Sequence, residues 1–189
     1  PDISSEQAYM LEKGVSKNYV NHFRIGGVKI SLDGSPQGKT AWLTEPYVVP
    51  PEGKDKNYRG YPAFPEQKTV QHMIDLAFQQ HWPILAHANG DAAIDQYLNV
   101  IANAQKKYDA SQRRDVIIHA QTMREDQLDR AKQLHLIPSF FSLHTYYWGD
   151  WHVAQTLGEK RAEHISPTGS ALRKGMIFTE HHDAPVIPP

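Results

Sequence analysis

The 189-residue sequence contains no cysteine. Disulfide frameworks and thiolate metal sites are therefore excluded, and any metal must be held by histidine, carboxylate or a modified lysine. An excess of charge of one sign is also lacking: 20 Lys and Arg stand against 21 Asp and Glu, giving a formal net charge of −1. That balance leaves no basic footprint for nucleic acid and no acidic tail. No apolar run approaches the roughly 18 to 20 residues of a membrane span, and the opening PDISSEQAYM lacks the charged and apolar regions of a signal peptide. A soluble chain without nucleic-acid or membrane partners is expected, with the cytoplasm slightly favoured as its compartment. No methionine stands at position 1, which suggests a longer natural sequence. A Gly-rich phosphate fingerprint is missing too, because Gly26 and Gly27 precede a strand instead of opening a helix.

What the chain does have is histidine, 11 in all. The stretch PILAHANGDAAID, Pro83 to Asp95, reads as a buried strand, a histidine at its end, a turn and the start of a helix. VIIHAQ, Val116 to Gln121, repeats the pattern about one strand–helix–strand unit later. Catalytic groups of parallel α/β folds sit at the C-terminal ends of strands. Neighbouring strands of this kind would aim His87 and His119 at one site, and the first hypothesis is a metal.

The rest of the chain keeps a βα rhythm. IGGVKISL, Ile25 to Leu32, reads as a strand carrying Lys29 and running into a turn at Asp33 to Ser35. A long loop, 36–65, is rich in proline and glycine; loops of this length are commonly functional lids or disordered. Pro65 fits a first helical position, followed by Val70, Met73, Ile74, Ala77 and Phe78 at helical spacing. A second helix near Asp91, with Asp91 as its cap, tracks Ile94, Leu98 and Ile101. Thr122 and Glu125 spell a capping box. Leu136 to Leu143 forms a strand ending at His144, followed by a loop crowded with Tyr146, Trp148, Asp150, Trp151 and His152. A short helix at Ser166 to Lys174 precedes a last strand, Met176 to Thr179, which delivers Glu180, His181, His182 and Asp183. The pattern implies a parallel sheet with right-handed crossovers. Five strands are countable, whereas a closed (β/α)₈ barrel needs eight. The sheet is either open or part of a barrel.

Lys29, His87, His119, His144 and Asp183 are thus the strand-end candidates. Neutral imidazoles and carboxylates with an open coordination position suit Zn²⁺ or a similar ion. Lysine joins such a set only after losing its ammonium, for example by carbamylation. His22, His72, His81, His135 and His164 read as structural. Adjacent strand residues face opposite ways, so at most one of His181 and His182 points with Asp183. The aromatic loop after His144 fits either ordinary packing or a substrate pocket.

VKISLDGS, AHANGDAAID, IIHAQ and HHDAPV, in this order, resemble the amidohydrolase superfamily, in its YtcJ-like branch related to N-substituted formamide deformylases. The resemblance implies the C-terminal part of a TIM barrel, about strands four to eight, with a metal centre at its C-terminal mouth. Lys29 would be a bridging, carbamylated ligand, His87 and His119 further ligands, and Asp183 both ligand and catalytic proton shuttle. His144, Tyr146, Trp148, Trp151 and Asp33 would line the substrate pocket. The implied reaction is hydrolysis of an amide or related C–N bond of a small molecule by metal-activated water, with Zn²⁺ favoured over Fe, Mn or Ni. The family's first-strand H-x-H pair and flanking β-sandwich have no counterpart in residues 1–189. A partial barrel is therefore expected, a fragment of a larger enzyme. The alternatives are an inactive piece that binds ligand or self-associates through open sheet edges as a homo-oligomer, and a deaminase or C–O hydrolase on the same scaffold.

Overall fold

The computed structural model describes residues 1–186. In chain order the elements are α1 (Gln7–Lys13), β1 (Val28–Ser31), α2 (Gln67–Gln79), β2 (Ile84–Ala88), α3 (Asp91–Gln105), β3 (Val116–His119), α4 (Glu125–Gln133), β4 (Ile137–Phe140), α5 (His144–Trp151), a π-helical turn (His152–Thr156), α6 (Glu159–Ala162), α7 (Thr168–Arg173) and β5 (Thr179–Glu180).

The five strands form one sheet in the order β1-β2-β3-β4-β5, and every pairing is parallel. A doubly wound sheet reverses its strand order at a switch point, whereas a barrel lays strands down sequentially. The order here is the barrel's. The outer edge of β1 is extended by the first residues of the chain: Lys29 N–H donates to Pro1 O, and Ile3 N–H donates to Lys29 O, both at 2.8 Å.

Side-chain alternation divides the sheet into two unlike faces. Val28, Ile30, Ile84, Ala86, Ala88 and Ile117 are fully buried in a core shared with Val70, Ile74, Phe78, Tyr97, Leu98 and Ile101 of α2 and α3. Those helical residues follow the expected spacing of three and four. The opposite face, carrying Lys29, Leu85 and His87 at alternating positions, is less covered: Lys29 is exposed, His87 half-buried and Leu85 38% exposed. This is the face that a closed barrel turns inward.

Tertiary contacts shift several local expectations. The helix expected from Pro65 begins at Gln67. Thr122 does not cap α4; its hydroxyl donates to Asn89 O, and the Arg124 N–H donates instead to Gln127 Oε1 at 3.0 Å. Asp91 is not a cap either. Gly90 holds that position, while the Asp91 carboxylate accepts from Thr44 N–H at 2.9 Å and Arg124 at 3.0 Å, tying the long loop to α3 and α4. The fourth strand stops at Phe140, and the aromatic segment beyond it is helix α5 rather than loop. The last strand is Thr179–Glu180, displaced from Met176 to Thr179 because its pairing partners on β4 are Ser139 and Phe140.

The 36–65 segment has no helix or strand but is not loose. Leu43 and Tyr47 pack on Leu157 in a small second core. Its passage over the β2–α3 turn is close enough that a Cβ on Gly90 would lie 1.9 Å from Trp42 O, so glycine is required there.

Candidate metal centre

His87 and His119 do meet at the C-terminal end of the sheet, with ring centroids 4.6 Å apart. Their routes differ. His87 lies on the open face by simple alternation, two residues beyond Leu85. His119 shares the phase of buried Ile117 and would point into the helix layer if the strand continued. Instead His119 and Ala120 adopt φ of +71° and +47°. This left-handed pair, costing about 1–2 kcal/mol per non-glycine residue, turns the imidazole toward His87. Such strain is found where surrounding structure holds a functional group in place.

The third arm comes from β5. His119, His181 and Asp183 each offer one ligand atom, and these atoms all lie within 4.8 Å of one another. His119 Nδ1 is 3.1 Å from His181 Nε2, and the other ring nitrogen of His181 is 3.0 Å from Ser139 Oγ. His119 is buried, His181 half-buried and Asp183 exposed. Burial pushes the His119 imidazolium down to about 2, helped by His87, His181, His144 and Lys29 nearby. Burial also lowers His181, although Asp183 and Glu180 oppose the shift. Both rings are neutral at pH 7 and keep a lone pair for a cation. His87 Nδ1 is buried without a hydrogen-bond partner; Asp33 Oδ1 lies 3.5 Å away, too far for a good bond. The two neutral imidazoles of His119 and His181 with the Asp183 carboxylate fit a divalent ion.

Of the residues singled out in the sequence, His119 and Asp183 come together here with His181; His87 stands against His119 outside that group, and Lys29 stands on the same sheet face as His87. Asp33 does not face the opening. Its buried carboxylate accepts from the backbone N–H groups of Trp42 (2.9 Å), Asn89 (3.0 Å) and Gly90 (2.7 Å), so it holds the β2–α3 turn behind His87. His144 is also turned inward. It is 2% exposed, and its Nδ1 lies 2.5 Å from Gln121 Nε2 and 3.1 Å from His152 Nε2, while His152 Nδ1 meets Thr156 Oγ1 at 2.9 Å. Trp148 packs on His144 at 4.8 Å. The Trp151 indole donates to Gln37 O at 3.1 Å and underlies Lys39, so it anchors the long loop.

Of the expected pocket residues, Tyr146 lines an opening. With Ser142, Leu143, Glu180 and His181 it borders a shallow, mainly apolar groove of about 610 Å³ that reaches the metal-ligand cluster. Sequence reasoning left His181 undecided between two faces and gave Ser139 no role. Alternation could not decide it, because Asp183 lies past β5 in a turn with φ of +55°.

A sequential parallel sheet whose C-terminal end gathers histidines and an aspartate defines part of a barrel with a cluster able to coordinate a metal ion. The chain belongs to the Amidohydrolase family, whose sequence profile matches residues 4–189. It is 28% identical over 181 residues to YtcJ of Bacillus subtilis (strain 168), covering 94% of this chain and 31% of that protein. Among solved structures it resembles an uncharacterized metal-dependent hydrolase from Pyrococcus furiosus, with a TM-score of 0.78, 27% identity, and coverage of 97% of this chain and 36% of that one. A second such hydrolase, from Pyrococcus horikoshii OT3, gives a TM-score of 0.76 at 26% identity, covering 96% and 34%. The chain therefore spans about a third of the length of these relatives.

Proposed function

We propose that this chain carries the C-terminal part of the active site of a metal-dependent hydrolase that cleaves a non-peptide C–N bond of a small molecule. The observation that carries the reading is the convergence of His119, His181 and Asp183 beside His87 at the strand ends. In this reading His87, His119 and Asp183 hold the ion, and Lys29 joins them once carbamylated. Zn²⁺ is the ion favoured by nitrogen-rich ligands, with Fe, Mn and Ni served by similar sets. A bound divalent ion supplies Lewis acidity toward a carbonyl oxygen and lowers the pKa of water to about 7.

The chain's own residues supply the rest. Asp183 is exposed beside the two imidazoles, where its carboxylate can take a proton from attacking water and return it to the leaving nitrogen. The groove bordered by Leu143 and Tyr146 receives the apolar part of the substrate. The strained His119–Ala120 backbone keeps one ligand aimed without reorganisation.

The test is amine release from formamides and N-acyl amines by the purified chain loaded with Zn²⁺. Release that disappears with chelator and in Asp183→Asn supports the reading. Release indifferent to both, or none with any of the four metals, overturns it for this chain. A preference for deamination or ester cleavage would move the assignment to another reaction on the same scaffold. A second reading, a partial barrel that self-associates, draws on the less covered face at Leu85 and the outer edge of β5. A monomeric hydrodynamic mass would contradict it.

A further inference from the structure

We infer that His181 is itself a metal ligand, and that Ser139 is the positioning residue that makes it one. Together with His119 and Asp183 it gives this chain a metal site drawn from β3 and β5 that needs no residue from a first-strand histidine pair. The inference rests on the metal reading above and adds to it a ligand outside the set of Lys29, His87, His119 and Asp183.

Sheet register brings the two residues together. Ser139 on β4 pairs with Thr179 on β5, and His181 follows Thr179 by two residues, so Ser139 and His181 rise from the same face of adjacent strands. His181 N–H donates to Phe140 O at 3.0 Å, continuing the strand pairing and fixing the backbone from which the ring projects. The ring then has one nitrogen on each neighbour: Nδ1 is 3.0 Å from Ser139 Oγ, and Nε2 is 3.1 Å from His119 Nδ1. When Nδ1–H donates to the serine oxygen, the tautomer is settled and Nε2 keeps its lone pair. That lone pair faces the His119 nitrogen, and His181, His119 and Asp183 each offer one ligand atom within 4.8 Å of the other two.

This is how metal-binding histidines are ordinarily held, with the far ring nitrogen donating to an oxygen that fixes orientation. Phe141 closes one side, its ring stacked on His181 at 5.4 Å and tilted against His119 at 6.1 Å, which restricts rotation of both imidazoles. The competing arrangement is a plain N–H···N hydrogen bond between the two rings. It would use the same atoms but would give Asp183 no part, and it predicts no dependence of metal binding on Ser139.

The experiment titrates the chelator-stripped 189-residue chain with Co²⁺, reading the visible d–d absorbance and the Kd, and confirms affinities with Zn²⁺ by competition. The wild-type chain should bind one ion. His181→Ala should remove one nitrogen ligand, shifting the Co²⁺ d–d bands and weakening binding. Ser139→Ala should weaken binding by about 10- to 100-fold, and Ser139→Thr, which keeps the hydroxyl, should restore it. Circular dichroism of each variant verifies that the sheet is retained, and His181→Gln replaces the alanine variant if that one unfolds. Wild-type affinity in both His181 variants, with binding lost in His119→Ala, would overturn the role of His181 and leave the metal reading standing. Wild-type affinity in Ser139→Ala would overturn the positioning role. No ion bound by the wild-type chain would remove both.

Discussion

Acidification should strip stability from this chain through two imidazoles that the fold keeps neutral. His144 and His152 are 2% and 0% exposed, and burial pushes them down to about 3 and about 4, with His152 and His181 adding to the effect on His144. In the unfolded chain each returns to the ordinary value of 6.5. Because the folded values are depressed, the unfolded chain binds more protons below pH 6.5. The stability these groups contribute is therefore complete above that pH and is lost as the pH falls toward the folded values. At about pH 5 the folded rings are still neutral while the unfolded ones are charged. A gap of about 1.5 pH units at about 1.4 kcal/mol per unit removes about 2 kcal/mol for each imidazole. Urea denaturation of the chelator-treated chain across this range reads the slope directly. His152→Gln keeps a polar group against Thr156 and should lose one imidazole's share of it. Equal slopes in wild type and variant would refute the claim that this ring is buried and neutral.

Asp33→Ala leaves three backbone N–H groups without their acceptor, so a loss of more than about 3 kcal/mol is expected. Proteolysis should then find the 36–65 loop first, and a variant as protease-resistant as wild type would contradict the turn-holding role. At the opposite end of the strands, the carboxylate of buried Asp115 accepts from Ile84 N–H at 2.8 Å and from Arg113 at 2.7 and 2.9 Å. Asp115→Ala should cost about 3–5 kcal/mol in urea denaturation while leaving metal affinity in the still-folded chain unchanged. Weakened metal binding there would show that the two ends are coupled.

The βα rhythm was legible because helical spacing and short apolar runs are local signals, and β3 occupies the expected Val116 to His119. His87 and His119 were legible as strand ends. The destinations of side chains beyond those ends were not. Asp33 looked available until its oxygens were found to serve three backbone donors brought together by the long loop. The family resemblance put His144 in the substrate pocket, with its strand expected to run to Leu143; β4 stops at Phe140, and helix α5 holds the ring against Gln121 and His152. His181 depends on a pairing between β4 and β5, separated by some forty residues. No local pattern records which of two adjacent histidines will find a partner across that distance. The left-handed turn at His119 was likewise invisible, since a positive φ is uncommon at any non-glycine residue and the alanine that shares the turn gives no sign of it.

Anomalous diffraction from crystals of the chain grown with Zn²⁺, collected on both sides of the zinc absorption edge, tests the metal centre most directly. A single strong peak is expected at the C-terminal end of the sheet, with His119, His181 and Asp183 around it and His87 adjacent. A peak elsewhere, or none in crystals that contain the intact site, would contradict it.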